Sequence, residues 1–236
     1  MNLLLLEPGD FVDGTSTIRL TDRRLQHVRE VLRSQVGESL RVGLLEGPLG
    51  EGRITALGSG ALEMSVTLGH PPPPPAPITL LLALPRPKVL RRLLAAITSM
   101  GVKTLFLIHS YRVEKSYWQT PFLTESAIRK QLLLGLEQGG DTLLPTVHLR
   151  RRFKPFVEDE LPGLAEGTQA LVAHPGTGSP APSRGDRTVT LAIGPEGGFI
   201  PYEIERLQKA GFASFQLGPR ALRVETAVAA ILGRLL

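Results

Sequence analysis

TVTLAIGPEGGFIPYEIERL, residues 188–207, is the stretch whose reading decides the fold. An apolar β-type run, Val189 to Ile193, enters the turn Gly194-Pro195-Glu196-Gly197-Gly198, and a helical pattern follows with Pro201 near its first turn. A strand, a glycine turn and a helix in that order form the repeating unit of an α/β sheet. Glycines at the carboxyl end of such a strand let a ligand approach the backbone and leave N–H groups free to bind it. No Gly-Lys-Ser/Thr follows, so the turn is not a P-loop, and it lacks the G-x-G-x-x-G dinucleotide spacing.

Downstream, ASFQLGPRALRVETAVAAI (213–231) repeats the arrangement: a strand, a Leu217-Gly218-Pro219 turn, a polar insertion, then the last helix. Upstream, LVAHPGTG (171–178) supplies a third strand end with His174, Pro175 and Gly176. Three such ends in one sheet converge on one pocket at its carboxyl edge. Further upstream the alternation continues. ITLLLALP reads as a buried strand, and Pro87 opens a helix whose Leu90, Leu93, Leu94 and Ile97 form an apolar stripe ending at Gly101. TLFLIHS reads as a strand and PFLTESAIRKQLLLGLEQ as a helix. The predicted class is therefore α/β with a mainly parallel sheet over residues 78–236.

His70 is followed by five consecutive prolines, Pro71 to Pro75, then Ala76 and Pro77. This segment cannot continue a helix or a central strand, and it is read as a linker over 71–77. Residues 1–70 then form a separate small domain. Leu25, Val28, Val31 and Leu32 recur at helical spacing, with Thr21 as the expected N-cap and Gly37 as the stop. Three short β runs follow (SLRVGLLEG, EGRITALG, ALEMSVTLG), which suggests a compact barrel-like module.

Residues 1–75 carry 7 basic and 9 acidic side chains; residues 76–236 carry 20 and 13. No acidic residue lies between Glu63 and Glu114, a gap that holds Arg86, Lys88, Arg91, Arg92, Lys103 and Arg112. A one-sign stretch of this length suits a polyanion, although a solvated basic face gives the same pattern. The absence of cysteine excludes disulfides, thiol nucleophiles and Cys-bound zinc, and no metal site is expected. No apolar run is long enough to cross a bilayer, and MNLLLLEPGDF is too short in its apolar part for a signal peptide. A cytoplasmic location without membrane contact is expected.

IGPEGGF followed by LGPRALRVETA closely resembles the SPOUT superfamily of knotted RNA methyltransferases. Within it, the match is to the family that methylates N3 of a uridine in bacterial 16S ribosomal RNA. HVREVLRSQVGE resembles that family's N-terminal PUA-like RNA-binding barrel, so the likeness spans the chain. The resemblance implies a C-terminal trefoil knot, a homodimer, and S-adenosylmethionine held in the knot loops. It assigns the cofactor to Leu171, Val172, Ala173, His174 and Pro175; to Ile193, Gly194, Pro195, Glu196, Gly197 and Gly198; and to Leu217, Gly218, Pro219, Arg220, Leu222 and Thr226. The expected RNA contacts are Arg23, Arg24, Arg29 and Arg33 around the first helix, then Arg86, Lys88, Arg91, Arg92 and Arg112. Where the family shows Glu-Arg-Ser, this chain has Tyr111-Arg112-Val113. Where it shows Glu-Gln-Ser-x-Arg, this chain has Glu137-Gln138-Gly139-Gly140-Asp141.

Uridine N3 bears a proton and is a poor nucleophile until that proton leaves. Glu196 and Glu225 are the candidate bases, and Arg223 is expected to stabilise the uridine anion. Two alternatives stay open: a non-enzymatic RNA-binding or ribosome-assembly protein, and a nucleotide-dependent enzyme using the glycine turn for phosphate. Val228, Ile231, Leu232 and Leu235 form an apolar stripe on the last helix, expected to lie at the homodimer interface.

Overall fold

In a computed structural model of the protein, every residue is described except 1, 13, 176–178, 184 and 186. The chain divides into two units, one of Met1–Pro74 with Leu133–Leu144, the other of Pro75–Leu132 with Pro145–Leu236. The proline run lies at the first changeover. The return of 133–144 to the first unit has no signature in the sequence pattern.

The first unit is built on strands β1 (Leu4–Leu6), β2 (Thr17–Leu20), β3 (Ser39–Leu44), β4 (Leu49–Leu57) and β5 (Leu62–His70). They form one mixed sheet in the order β1-β3-β4-β5-β2, with β1 parallel to β3 and the other pairs antiparallel. The opening leucines are buried on both faces of β1. Leu4 and Leu6 join Ile18, Val42, Ile54, Leu62 and Met64 in the core, while Leu3 and Leu5 meet Leu136 on the other side. Successive side chains of a strand point to opposite faces, so a run of leucines needs both covered. Each fully buried leucine contributes about 1.5–3 kcal/mol.

The first helix, α1 (Arg23–Gln26), continues as a π-helical segment, His27–Leu32. Asp22, not Thr21, is its cap: its Oδ1 accepts the Arg24 N–H at 2.9 Å. The π turn breaks the 3.6-residue period. Leu25 and Val28 are therefore buried, while Val31 and Leu32 of the expected stripe are exposed. The helix ends at Arg33, whose φ of 55° is left-handed, before Gly37 is reached.

The second unit alternates strand and helix: β6 (Ile78–Ala83), α2 (Pro87–Ser99), β7 (Thr104–Ile108), α3 (Glu125–Gly139), β8 (Thr146–Arg150), α4 (Phe153–Pro155), a π turn (Phe156–Glu160), α5 (Leu161–Ala165), β9 (Gln169–Ala173), β10 (Val189–Ile193), α6 (Pro201–Lys209), β11 (Ala213–Phe215) and α7 (Val224–Leu235). The six strands are all parallel, in the order β11-β9-β10-β6-β7-β8. All five residues of β10 are buried, as expected for a central strand covered on both faces. Helix α3 starts in this unit, and its last turns belong to the first.

β6 and β10 are neighbours, with Ile193 level with Leu82. The chain leaves β6 through α2 towards β7, and leaves β10 through α6 towards β11 on the opposite side. Diverging connections from adjacent strands open a crevice at their carboxyl ends. One expectation is corrected here. Val228, Ile231, Leu232 and Leu235 are already buried within the chain, with α7 packed against α2, so this stripe is not left for a partner.

Candidate active site at the carboxyl ends of β7, β9 and β10

The turn after β10 is shaped by what lies around its glycines. A Cβ on Gly194 would sit 3.0 Å from the backbone nitrogen of Phe199, so the chain folds back there closely enough that a side chain would have to displace it by a few tenths of an ångström. Gly198 has φ +72°, a left-handed conformation that L side chains rarely adopt, and its N–H donates to the Pro195 carbonyl at 2.7 Å. Phe199, buried against Phe153, anchors the far end of the turn.

A second turn, Ser110 to Val113, follows β7 and closes with the Val113 N–H donating to the Ser110 carbonyl at 2.9 Å. The Arg112 guanidinium donates to the Gly197 carbonyl, and its Cδ lies 2.8 Å from where a Gly197 Cβ would be. The glycine turn therefore carries an arginine on its surface. Its glycines make room for the chain at Gly194 and for Arg112 at Gly197. The N-cap residue of α2, Arg86, approaches the same turn through its backbone: its N–H donates to Glu196 Oε1 at 3.3 Å.

Glu203 ties the two turns together, although nothing in the sequence pattern singles it out. It lies on α6 with 2% of its surface exposed. Its carboxylate accepts from the Ser110 hydroxyl at 3.1 Å, the Tyr111 N–H at 2.8 Å and the Ile200 N–H at 3.0 Å. A carboxylate on a helix face reads as solvated in the sequence; only tertiary packing buries it.

His174, just past β9, donates its backbone N–H to the Phe215 carbonyl at 2.9 Å, which fixes it between β9 and β11. Its Nδ1 is buried without a hydrogen-bond partner among the described residues. Burial, with the Arg112 charge adding to it, holds the imidazole below its ordinary pKa of 6.5. Gly176, the last of the three residues expected there, lies outside the described residues. Of the third strand end, Leu217 and Leu222 present exposed apolar side chains, and Pro219, Arg220 and Arg223 are exposed. Thr226 lies on the exposed side of α7.

Among the proposed acid–base residues, Glu225 faces Arg92 at 3.9 Å rather than Arg223. Arg223 is the N-cap residue of α7 and makes no ion pair among the described residues. Among the expected RNA contacts, Arg86, Lys88, Arg91, Arg92 and Arg112 are exposed in the second unit, with Arg91 stacked 5.0 Å from the Phe122 ring. In the first unit, Arg29 and Arg33 are exposed, and Arg23 makes a two-bond pair with buried Glu137.

Arg24 is a correction. It is buried, and all five of its N–H donors are used by Asp10, Asp22 and the Leu5 carbonyl. Burial opposes its charge, but the hydrogen bonds to Asp10 and Asp22 more than offset this and raise its pKa. The guanidinium is committed to the fold and has no donor left for a phosphate. Glu137 and Asp141 are likewise structural. The Glu137 carbonyl accepts the Asn2 and Leu3 N–H groups, and Asp141 Oδ1 accepts the Leu143 N–H at 3.0 Å.

A parallel α/β sheet with glycine-bearing turns and exposed arginines at its carboxyl edge is the arrangement in which α/β proteins bind their ligands. Residues 72–236 match the model of the RNA methyltransferase domain family, and the chain belongs to that family. A ribosomal RNA small subunit methyltransferase E from Treponema pallidum is 30% identical over 98% of this chain and 88% of its own length. The protein of that name from Synechocystis is 28% identical over 95% of this chain and 73% of its own. A crystal structure of the enzyme of that name from Neisseria gonorrhoeae, bound to S-adenosyl methionine, is similar in fold. Its TM-score is 0.74 at 21% identity, over 99% of this chain and 95% of that one.

Proposed function

We propose that the protein methylates ribosomal RNA of the small subunit with S-adenosylmethionine, and that its target is N3 of a uridine in 16S ribosomal RNA. The observation that carries the reading is the joined pair of turns, Ser110–Val113 and Gly194–Gly198, beside His174, in a chain of the RNA methyltransferase family. The residues fit the cofactor. The glycine turn offers backbone groups, the orphaned Nδ1 of His174 offers a buried polar atom, and Leu217 and Leu222 offer apolar surface for an adenine. When bound, S-adenosylmethionine supplies a sulfonium-activated methyl group, so the protein's part is alignment and control of charge.

On this reading Arg223, which pairs with no carboxylate among the described residues, stabilises the negative charge that develops at O2 or O4 of the uridine. The N3 proton passes to Glu196 or Glu225. Arg86, Lys88, Arg91 and Arg92 meet phosphates, and Arg23, Arg29 and Arg33 of a PUA-like first domain (1–70) add to the grip. A trefoil knot is part of the proposal. It is supported by the passage of the chain from β11, at the sheet edge, to α7, packed on α2. So is a homodimer, for which α7 still offers its exposed face of Thr226, Ala229, Ala230 and Gly233. We place the protein in the cytoplasm; among the described residues no helix is long and apolar enough to cross a membrane.

The test incubates the protein with S-adenosylmethionine and unmethylated small subunits or 16S RNA, then digests the RNA to nucleosides for mass spectrometry. N3-methyluridine is expected. Methylation of another atom or base would overturn the uridine assignment, and no transfer at all would return the protein to the RNA-binding alternative.

A further inference from the structure

Tyr111 is the most exposed aromatic residue among those described, with 78% of its surface open. Exposed tyrosines usually sit on mobile loops, but this one does not. It occupies the second position of the Ser110–Val113 turn, whose two ends are buried at 0% and 4% exposure. Its own backbone N–H is held by the buried Glu203 carboxylate, and Ser110 is held by the same group. Its neighbour Arg112 is drawn onto the Gly197 carbonyl. Every group around the tyrosine is fixed, and only the ring is left over. Tyr202, by comparison, stacks with Arg206 at 5.1 Å, and Tyr117 bonds Glu114 at 3.4 Å.

A rigid, solvent-facing aromatic beside an arginine is an arrangement by which proteins hold an unpaired nucleobase. The base stacks on the ring while the cation meets its phosphates. The Arg112 guanidinium lies on the Gly197 carbonyl of the glycine turn, and from Met64 to Val113 the chain carries no acid. The occupant is thus an anionic chain with planar groups. We propose that Tyr111 is the stacking platform for a nucleobase of the RNA substrate next to the methyl-transfer site. It is a positioning residue, and the proposal rests on the RNA methyltransferase reading above. A reacting base must leave its stack to be methylated, and a fixed ring compensates for part of the lost stacking.

The test compares wild type with Tyr111→Phe, Tyr111→Leu and Tyr111→Ala on an unmethylated 16S RNA transcript. S-adenosylmethionine binding is measured alongside by calorimetry. Because the ring touches little of the protein, all variants should fold. Loss of one base–aromatic stack should weaken RNA affinity by about 5- to 100-fold in the Ala and Leu variants. Phe should stay within about twofold, and the penalty should fall mainly in KM for RNA, with cofactor affinity unchanged. An Ala variant whose RNA affinity matches wild type overturns the proposal. So does an Ala variant that instead loses self-association in light scattering, since the ring would then serve a second copy of the chain. Wild type that binds the RNA without methylating it refutes only the functional reading, and the Ala comparison still decides the stacking.

Discussion

Replacing Glu203 tests whether one buried carboxylate holds the two site turns together. In Glu203→Ala three donors lose their acceptor at once: the Ser110 hydroxyl, the Tyr111 N–H and the Ile200 N–H. Hydrogen bonds to a charged group are each worth about 1.5–3 kcal/mol net. Ser110 is fully buried, whereas the other two donors are partly buried and recover part of their loss from water. The expected cost is therefore about 3–5 kcal/mol, the scale of an uncompensated buried polar cluster. Glu203→Gln separates charge from shape. Its amide oxygen accepts the Tyr111 N–H, and the Ser110 hydroxyl can turn to accept from the amide nitrogen. The Ile200 N–H then faces another donor, a single unsatisfied group costing about 1–3 kcal/mol.

Urea unfolding followed by tryptophan fluorescence reads this directly, because Trp118 is the only tryptophan, is buried, and belongs to the same unit. The order should be wild type, Gln, Ala, with the slope unchanged. In folded samples both variants should bind S-adenosylmethionine and RNA more weakly, since both turns lose their common anchor. An Ala variant within 1 kcal/mol of wild type, or one that loses stability while keeping full affinity for both ligands, would refute the linkage.

The other predictions concern single sites. Arg24→Met should cost about 3–5 kcal/mol by stranding Asp10 and Asp22, with RNA affinity per folded molecule unchanged; a drop in salt-dependent RNA binding would restore Arg24 to the RNA surface. Gly198→Val forces a β-branched residue into φ +72° and should abolish S-adenosylmethionine binding in calorimetry. Arg223→Ala should leave that binding within a few-fold but lower turnover by roughly 100-fold, with partial recovery as pH rises; turnover indifferent to pH would mean that Arg223 positions RNA instead. Burial holds His27, His109, His148 and His174 below their ordinary pKa of 6.5 in the folded chain. The unfolded chain then takes up more protons, so stability is full above about pH 6.5 and falls as the pH drops below it. Urea midpoints measured at pH 7.5 and 5.5 check this, and a flat or rising profile would count against it.

What could be read in the sequence followed from covering. β6 and β10 are covered on both faces, so they appear as continuous apolar runs, and α2 announces itself through Pro87 and a clean stripe. β8 escaped notice because it is a half-buried edge strand, TVHLR, whose Arg150 pairs with Glu160 and lies over the Phe106 ring. The segment from Phe153 to Ala165 was equally silent, since Pro155, Pro162 and Gly163 break its helical pattern into short pieces. β1 shows the opposite difficulty. Four leucines in a row carry no alternation, and only the return of Leu136 explains why both faces are apolar.

The site divides along the same line. Its glycines were legible because a turn at a strand end leaves few alternatives to glycine, and the structure adds the reasons: a backbone 3.0 Å away at Gly194, a positive φ at Gly198. Its charges were not, because charge type says nothing about solvent. Arg24 and Arg112 are both arginines beside apolar stretches, yet one is enclosed by two aspartates and the other lies exposed on a carbonyl of the glycine turn. Glu203 and Glu205 are two residues apart on one helix; one is buried and accepts three hydrogen bonds, while the other pairs with Lys209 in solvent. The departure from the family pattern at Tyr111 gains its meaning in the same way. As a letter it is a lost acid; on a turn anchored by Glu203 and flanked by Arg112 it is an open aromatic face held still. With tyrosine there, the run without acids extends unbroken from Met64 to Val113, which suits the proposed stacking of an RNA base on the ring.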